Sequence, residues 1–192
     1  MFQYAKMQCK EVMTMEELVL VKPNKEYTDE IMGYKNEFLA KGDSMDGCGS
    51  LRRCTNASEY LDVCKSYESK ETLPIGKVVA TQFFYVRKSD NKIVGMIQVR
   101  HYFNEYLEKY AGHIGYSVRP SERRKGYAKS MLKEALKFCK EIGLERVMVT
   151  CEESNIGSEK TILANGGVFE YTIHQPEENI NLKRYWIDLK ES

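Results

Sequence analysis

HIGYSVRPSERRKGYAKSMLKEALKFCKEIG, residues 113–143, places a strand, a basic loop and a long helix in direct succession. His113 to Val118 reads as a short strand that stops at Arg119-Pro120. From Lys125 to Ile142 the apolar residues Ala128, Met131, Leu132, Ala135, Cys139 and Ile142 recur at three and four, predicting a helix with one buried face that Gly143 ends. Arg123, Arg124 and Lys125 lead into Gly126 at its first turn. The first N–H groups of a helix lack intrahelical partners and lie at the positive end of its dipole. With no Cβ at Gly126, a phosphate can approach the main chain there. The plainer reading is a solvated, basic helix start. The segment is not a Walker A loop, which needs Gly-Lys-Ser/Thr, and its single glycine excludes the dinucleotide fingerprint.

Downstream, Arg146–Cys151 predicts a buried strand, 155–165 a helix closed by Gly166-Gly167, and 168–173 and 181–189 two further strands. Leu182, Arg184, Trp186 and Asp188 share one side of the last. Upstream, 78–87 and 93–103 are β-branched and aromatic runs joined by the turn Ser89–Lys92, a hairpin apolar on both faces and therefore central. Residues 104–112 make a polar connection. Nearer the N-terminus, 15–21 reads as a strand, 29–41 as a helix with Ile31, Met32, Tyr34, Phe38 and Leu39 inward, and 58–67 as a second helix. KGDSMDGCGS between them is a loop. This order predicts an α/β fold, a mixed sheet flanked by helices.

Composition narrows the function classes. The 192 residues suit one domain. A formal charge of +1, from 29 basic and 28 acidic residues, argues against a general nucleic-acid binder. No apolar run approaches the roughly 20 residues of a membrane span, and the first residues lack the apolar centre of a signal peptide, so a cytoplasmic protein is expected. None of the six cysteines forms C-x-x-C and the three histidines sit in no ligand-spaced cluster, so neither a metal site nor a disulfide framework is expected.

Arg123-x-x-Gly126-x-Ala128, entering a helix after a strand that ends Val118-Arg119-Pro120, resembles the acyl-CoA signature of the GNAT N-acetyltransferases. Asn155, heading a helix that ends in Gly166-Gly167, resembles that family's second cofactor segment. The wider string GHIGYSVRPSERRKGYA, with KPNKEY upstream, is similar to one bacterial branch. The resemblance covers about residues 78–190 in element order and is tight at 112–128 and 150–168. It implies a mostly antiparallel GNAT sheet in one domain spanning 1–192, with about 1–76 shaping the acceptor side and about 77–190 binding acyl-CoA.

By that resemblance, the amides of Arg124, Lys125, Gly126, Tyr127 and Ala128 cradle the coenzyme A pyrophosphate beside Arg123. Tyr116, Ser117 and Val118 pair with the pantetheine arm, and Asn155 and Ser158 hold its far end. Asn155 also reads as a helix N-cap. The implied reaction is direct transfer of acetyl from acetyl-CoA to a primary amine of a small molecule or peptide, with no metal, nucleic acid or membrane involved and a homodimer left open. The Val118 N–H is the expected oxyanion donor. The family's acid, a tyrosine seven residues after the asparagine, is replaced here by Ile162, which keeps alive a non-catalytic acyl-CoA-binding sensor. Candidate bases are His113, whose imidazole titrates near neutrality, and Glu152 or Glu153 acting through water. Each has a structural reading, a hydrogen-bonded histidine or a solvated strand end, and a bulge at 116–118 would turn His113 aside.

Overall fold

The computed structural model describes residues 16–190. Seven strands form one sheet: β1 (Leu18–Val21), β2 (Ala80–Arg87), β3 (Lys92–Arg100), β4 (Ile114–Val118), β5 (Arg146–Glu152), β6 (Val168–Gln175) and β7 (Ile180–Asp188). They lie in the order β1-β2-β3-β4-β5-β7-β6. Among the described residues only the β4–β5 pair is parallel. Helices α1 (Thr28–Lys41) and α2 (Ala57–Ser66) precede the hairpin, and α3 (Tyr127–Glu141) and α4 (Ile156–Leu163) make the crossovers around β5. This is the mixed, mostly antiparallel α/β sheet that the residue pattern and the resemblance imply.

Why β2 carries no polar alternation is plain from what covers it. Phe83 and Tyr85 face a core built with Met131, Leu132, Ala135 and Cys139 of α3 and Ile162 of α4. Phe84 and Val86 face the opposite side, where Ile31, Tyr34 and Phe38 of α1 and Tyr60 of α2 pack. Both faces are buried, so every second residue has no reason to be polar. The α3 helix presses on β3 at Gly95, where a Cβ would come within 2.8 Å of Met131 Sδ.

Several sequence expectations shift. Leu39 of α1 is 45% exposed rather than inward. β3 stops at Arg100, and the polar connection contains a π-helical turn, Leu107–Ala111, with Leu107 buried. α3 begins at Tyr127 rather than 125, and Tyr127 itself joins the core. The register of β4 against β3 is continuous from Val99↔Ile114 to Gly95↔Val118, so 116–118 holds no bulge. The irregularity lies in β3, where Tyr85 pairs Gly95 and Val86 pairs Ile93, leaving Val94 as the extra residue. Met15 and Cys9 lie outside the described residues.

Candidate active site

The site is built on a fork in the sheet. β4 and β5 pair at a single position, Ile114↔Val149, and then separate. At the closed end, Gly112 adopts φ 64°, and a Cβ there would meet Met148 O at 2.4 Å. Only glycine lets the chain press that close. The His113 N–H donates to Met148 O at 2.8 Å, and the Met148 N–H returns a bond to His113 Nδ1 at 3.0 Å. Beyond this clasp β4 continues to Val118 with no ladder partner on the β5 side among the described residues. Arg100 N–H donates to His113 O and Arg119 N–H to Val94 O. By strand alternation, odd-numbered β4 residues bond to β3, while the main-chain groups of Tyr116 and Val118 face the open side.

A cleft of about 580 Å³ lies along this opening. Ile114, Gly115 and Tyr116 of β4, Thr150, Cys151 and Glu152 of β5, and Asn155 and Ser158 at the head of α4 line it. The opposite wall comes from Asp46, Gly47 and Gly49 of the α1–α2 loop, Arg100, Tyr106 just before the π-helical turn and Tyr110 within it. The loop is seated by backbone contact: a Cβ on Gly47 would lie 2.1 Å from Gly115 O. Gln82 Nε2 donates to Gly47 O at 2.8 Å, and Cys48 Sγ lies 3.2 Å from Ser117 Oγ. Tyr34 OH donates to Ser117 O at 3.0 Å.

Where β4 ends, the chain turns into α3. Arg124 (φ 68°) and Gly126 (φ 84°) are both left-handed, and among the described residues no side chain caps the α3 N-terminus. Beyond its chain neighbours, no heavy atom of the described residues lies within 4 Å of the place a Gly126 Cβ would take. The three cations there are not equivalent. Arg123 pairs with Asp43 at 2.7 Å and donates from Nε to Val118 O at 3.2 Å. Lys125 pairs with Glu122 at 2.7 Å. The Arg124 side chain has no carboxylate partner among the described residues. Glu122 is buried and also takes Arg87 at 2.9 Å and Lys92 at 3.0 Å. Burial alone would raise its carboxyl pKa, but the bonds from Arg87, Lys125 and Lys92 outweigh that and hold it at about 2. Tyr127 OH bonds to Glu16 and accepts from Arg87 Nη1, so its side chain anchors the helix start while its amide stays at the open end.

The remaining sequence candidates separate in space. His113 is 5% exposed, ringed by Phe103 at 4.0 Å and Trp186 at 6.4 Å between centroids. Burial, reinforced by the Arg100 charge, lowers its pKa to about 4. Since Nδ1 accepts a backbone N–H, the neutral ring carries its proton on Nε2. Tyr116, at roughly 3.3 Å per residue, lies about 10 Å further along the strand. Asn155 caps α4, its Oδ1 accepting the Ser158 N–H at 3.0 Å. Ser158 Oγ lies 2.8 Å from Tyr116 OH, whose pKa burial pushes up to about 12. Ile162 is wholly buried, packed against Gly167. Glu152 is exposed at the rim and accepts from Ser154 Oγ at 3.2 Å. Burial pushes the Cys151 thiol up to about 11, which keeps it protonated near neutrality. Ser117, Val118 and residues 123–128 lie outside the cleft lining. The sequence reading misses Arg100, Tyr106 and Tyr110, whose place depends on contacts between distant segments. A cation at the end of a mostly apolar strand is the sequence signal for Arg100. Among the described residues no group of His, Cys, Asp or Glu is arranged to hold a metal ion, and no helix is long and apolar enough to cross a membrane.

A sheet forked at one parallel pair, with an uncapped helix start beyond the fork, makes an α/β cleft whose geometry suits an extended, phosphate-bearing ligand. The chain matches the model of the acetyltransferase (GNAT) family over residues 53–164, more than half its length, and belongs to that family. No curated protein matches it in sequence. Among solved structures it resembles the microcin C7 self-immunity acetyltransferase in complex with acetyl-CoA and AMP, at 16% identity and a TM-score of 0.65, covering 90% of this chain and 93% of that one. A Salmonella typhimurium acetyltransferase that modifies the N-terminal serine of ribosomal protein L7/L12 aligns at 15% identity and a TM-score of 0.65, covering 92% and 97%. A GNAT-family acetyltransferase from Bacillus anthracis aligns at 21% and 0.60, covering 92% and 97%.

Proposed function

We propose that this protein transfers an acetyl group from acetyl-CoA directly to a primary amine of a small molecule or peptide. The observation that carries the reading is the fork: β4 leaves β5 after Ile114↔Val149 and offers an unpaired strand edge leading to the α3 N-terminus. An extended pantetheine arm fits such an edge as an added strand would. The uncapped α3 start, with Gly126 clear of neighbouring atoms, suits a pyrophosphate. Acetyl-CoA supplies the activated acetyl group.

In this reading Tyr116 and Val118 orient the donor through their main-chain groups, and the Val118 N–H donates to the negative charge that develops on the acetyl oxygen. The amides of 124–128 hold the phosphates, with Arg124 the cation not already committed to a carboxylate. Asn155 and Ser158 shape the far wall, Asn155 keeping its capping bond. Glu152, at the open end of β5, takes the amine proton through water. His113 clasps the fork shut and is structural: its acceptor nitrogen is occupied, and with a pKa of about 4 its ring stays neutral near pH 7. The departing thiolate needs little help, since a thiol pKa of about 8.5 makes it a far better leaving group than an alkoxide or amide, and the burial of Ile162 is then no obstacle.

Ile162 in place of the family tyrosine supports a second reading, an acyl-CoA sensor without turnover. Calorimetric titration with coenzyme A separates binding from chemistry. Wild type is expected to bind, and Gly126→Glu, which fills the cradle and adds negative charge, to lose binding. Unchanged affinity in that variant overturns the placement of the donor. Binding with no acetyl transfer to any amine establishes the sensor.

A further inference from the structure

The arginines of the interior follow one convention, and Arg100 departs from it. Arg87 has Glu122 at 2.9 Å, Arg119 has Glu30 at 2.7 Å, and Arg184 has Glu170 at 2.9 Å. Arg100, the last residue of β3, has no carboxylate within 4.0 Å among the described residues. Its Nη1 donates to the carbonyls of Ala111 at 3.1 Å and Gly112 at 3.2 Å. Its Nε and Nη2 have no hydrogen-bond partner among the described residues. Nη2 lies 3.3 Å from where a Gly115 Cβ would stand, so the absence of that side chain leaves the guanidinium open against β4. Both residues line the cleft, and Gly115 is adjacent to Tyr116 at the open edge.

The cleft desolvates the Arg100 guanidinium, and Asp46 acts on it only from beyond 4.0 Å, so a directly paired anion would stabilise it. The other ionic residues of the lining, Asp46, Glu152, Glu178, Arg53 and Lys77, are exposed around the rim. The cleft therefore has a cationic floor and a mixed, hydrated mouth. We propose that Arg100 receives a carboxylate of the acceptor, and that the acceptor is of the amino-acid class, a carboxylate beside the amine it presents at Gly115–Tyr116. This rests on the acetyltransferase reading of the same cleft. Two donors remain on one planar fork, the arrangement that holds a carboxylate by two parallel bonds. The Nη1 bonds to Ala111 and Gly112 fix that fork before the ligand arrives. Glu152, across the fork of the sheet, is then placed on the amine side rather than the carboxylate side. A polyamine, which carries no carboxylate, would bring a second positive charge toward Arg100 and is disfavoured.

The test compares free amino acids with their own carboxamides, which keep the amine and side chain and lose only the negative charge. With acetyl-CoA saturating, wild type is expected to prefer the acid by on the order of 10–100-fold in kcat/KM, the loss of one charge-assisted contact. Arg100→Gln is expected to bring that ratio close to one. Coenzyme A affinity of the variant reports that it is folded. Should Arg100→Gln fail to fold, Arg100→Lys, which keeps the charge without the fork, is expected to cut the ratio about tenfold. Equal use of acid and amide by wild type overturns the inference, as does an Arg100→Gln variant that lowers both rates while keeping their ratio, the signature of a purely structural arginine. If polyamines are acetylated and amino acids are not, this inference fails and the acetyltransferase reading stands. If nothing is acetylated, the acetyltransferase reading fails, and thermal shifts of the coenzyme A complex with the same acids and amides decide: selective stabilisation by the acids supports the carboxylate site, and its absence overturns it.

Discussion

Replacing Glu122 by Gln keeps the size of a buried side chain and removes its charge, at the point where the chain turns from β4 into α3. The carboxylate takes Arg87, Lys92 and Lys125 at 2.7–3.0 Å. Its pKa of about 2, against 4.5 for an unperturbed glutamate, means that the native state favours the ionised form by about 2.5 units, or about 3 kcal/mol at 1.36 kcal/mol per unit. Removing one partner from a buried ion cluster costs roughly 3–5 kcal/mol. Arg87 retains Asp90 at 2.8 Å, and Lys92 and Lys125 are exposed enough to hydrate, so the lower end applies. A native pKa below the unfolded one adds stability that is complete above pH 4.5 and disappears as the pH falls through about 2. Urea unfolding of wild type and Glu122→Gln at pH 7 should therefore differ by about 3 kcal/mol, and by less than half of that at pH 3. A difference below about 1 kcal/mol at pH 7, or one that persists undiminished at pH 2, would show that Glu122 is not the hub of this network.

Three further outcomes follow from other parts of the structure. Gly47→Ala combines a left-handed residue (φ 70°) with a Cβ directed at the Gly115 carbonyl, so a loss of about 3 kcal/mol or more, a fall of about 6–12 °C in Tm, is expected by calorimetry; an unchanged Tm would mean the loop does not sit on β4. His113 is buried neutral with a pKa of about 4 against 6.5 when unfolded. As the pH falls from 6.5 to 4 the unfolded chain takes up a proton that the native protein refuses, costing about 3 kcal/mol, and His113→Gln should flatten that slope without altering the pH profile of turnover; a rate loss of on the order of 10²–10⁴ with a changed profile would make it the base after all. Thiol titration of the unfolded protein without reductant should find all six cysteines, while in the native protein Cys48 and Cys139, pushed up to about 12 by burial, react slowly; fewer than six thiols would indicate a disulfide.

Helix α3 is legible in the sequence because Met131, Leu132, Ala135 and Cys139 recur at the helical period and meet the sheet directly. The hairpin is legible for a complementary reason, since two apolar faces announce a strand covered on both sides. Local pattern reaches no further than local contacts. It counts Arg123, Arg124 and Lys125 as equal cations, whereas Asp43, some eighty residues upstream, and the neighbouring Glu122 claim two of them. It places His113 at the start of β4 but not its bond to Met148, which depends on β5 lying alongside. The seat of the Gly47 loop on Gly115 and the lack of a directly paired carboxylate at Arg100 among the described residues are likewise properties of chain segments brought together by the sheet. Asn155 satisfies its capping role by geometry alone, so its spacing from Gly126 supports a donor-binding role only together with the fork beside it.

The central claim is acetyl transfer to an amine, and isotope-labelled acetyl-CoA tests it most directly. Incubated with the wild-type protein and a panel of amino acids, peptides and polyamines, the label should appear on an acceptor amine in equal amount with free coenzyme A thiol, measured by mass spectrometry and thiol release. Gly126→Glu should abolish both signals. Coenzyme A binding without label on any amine, or label found on a cysteine of the protein itself, would contradict direct transfer.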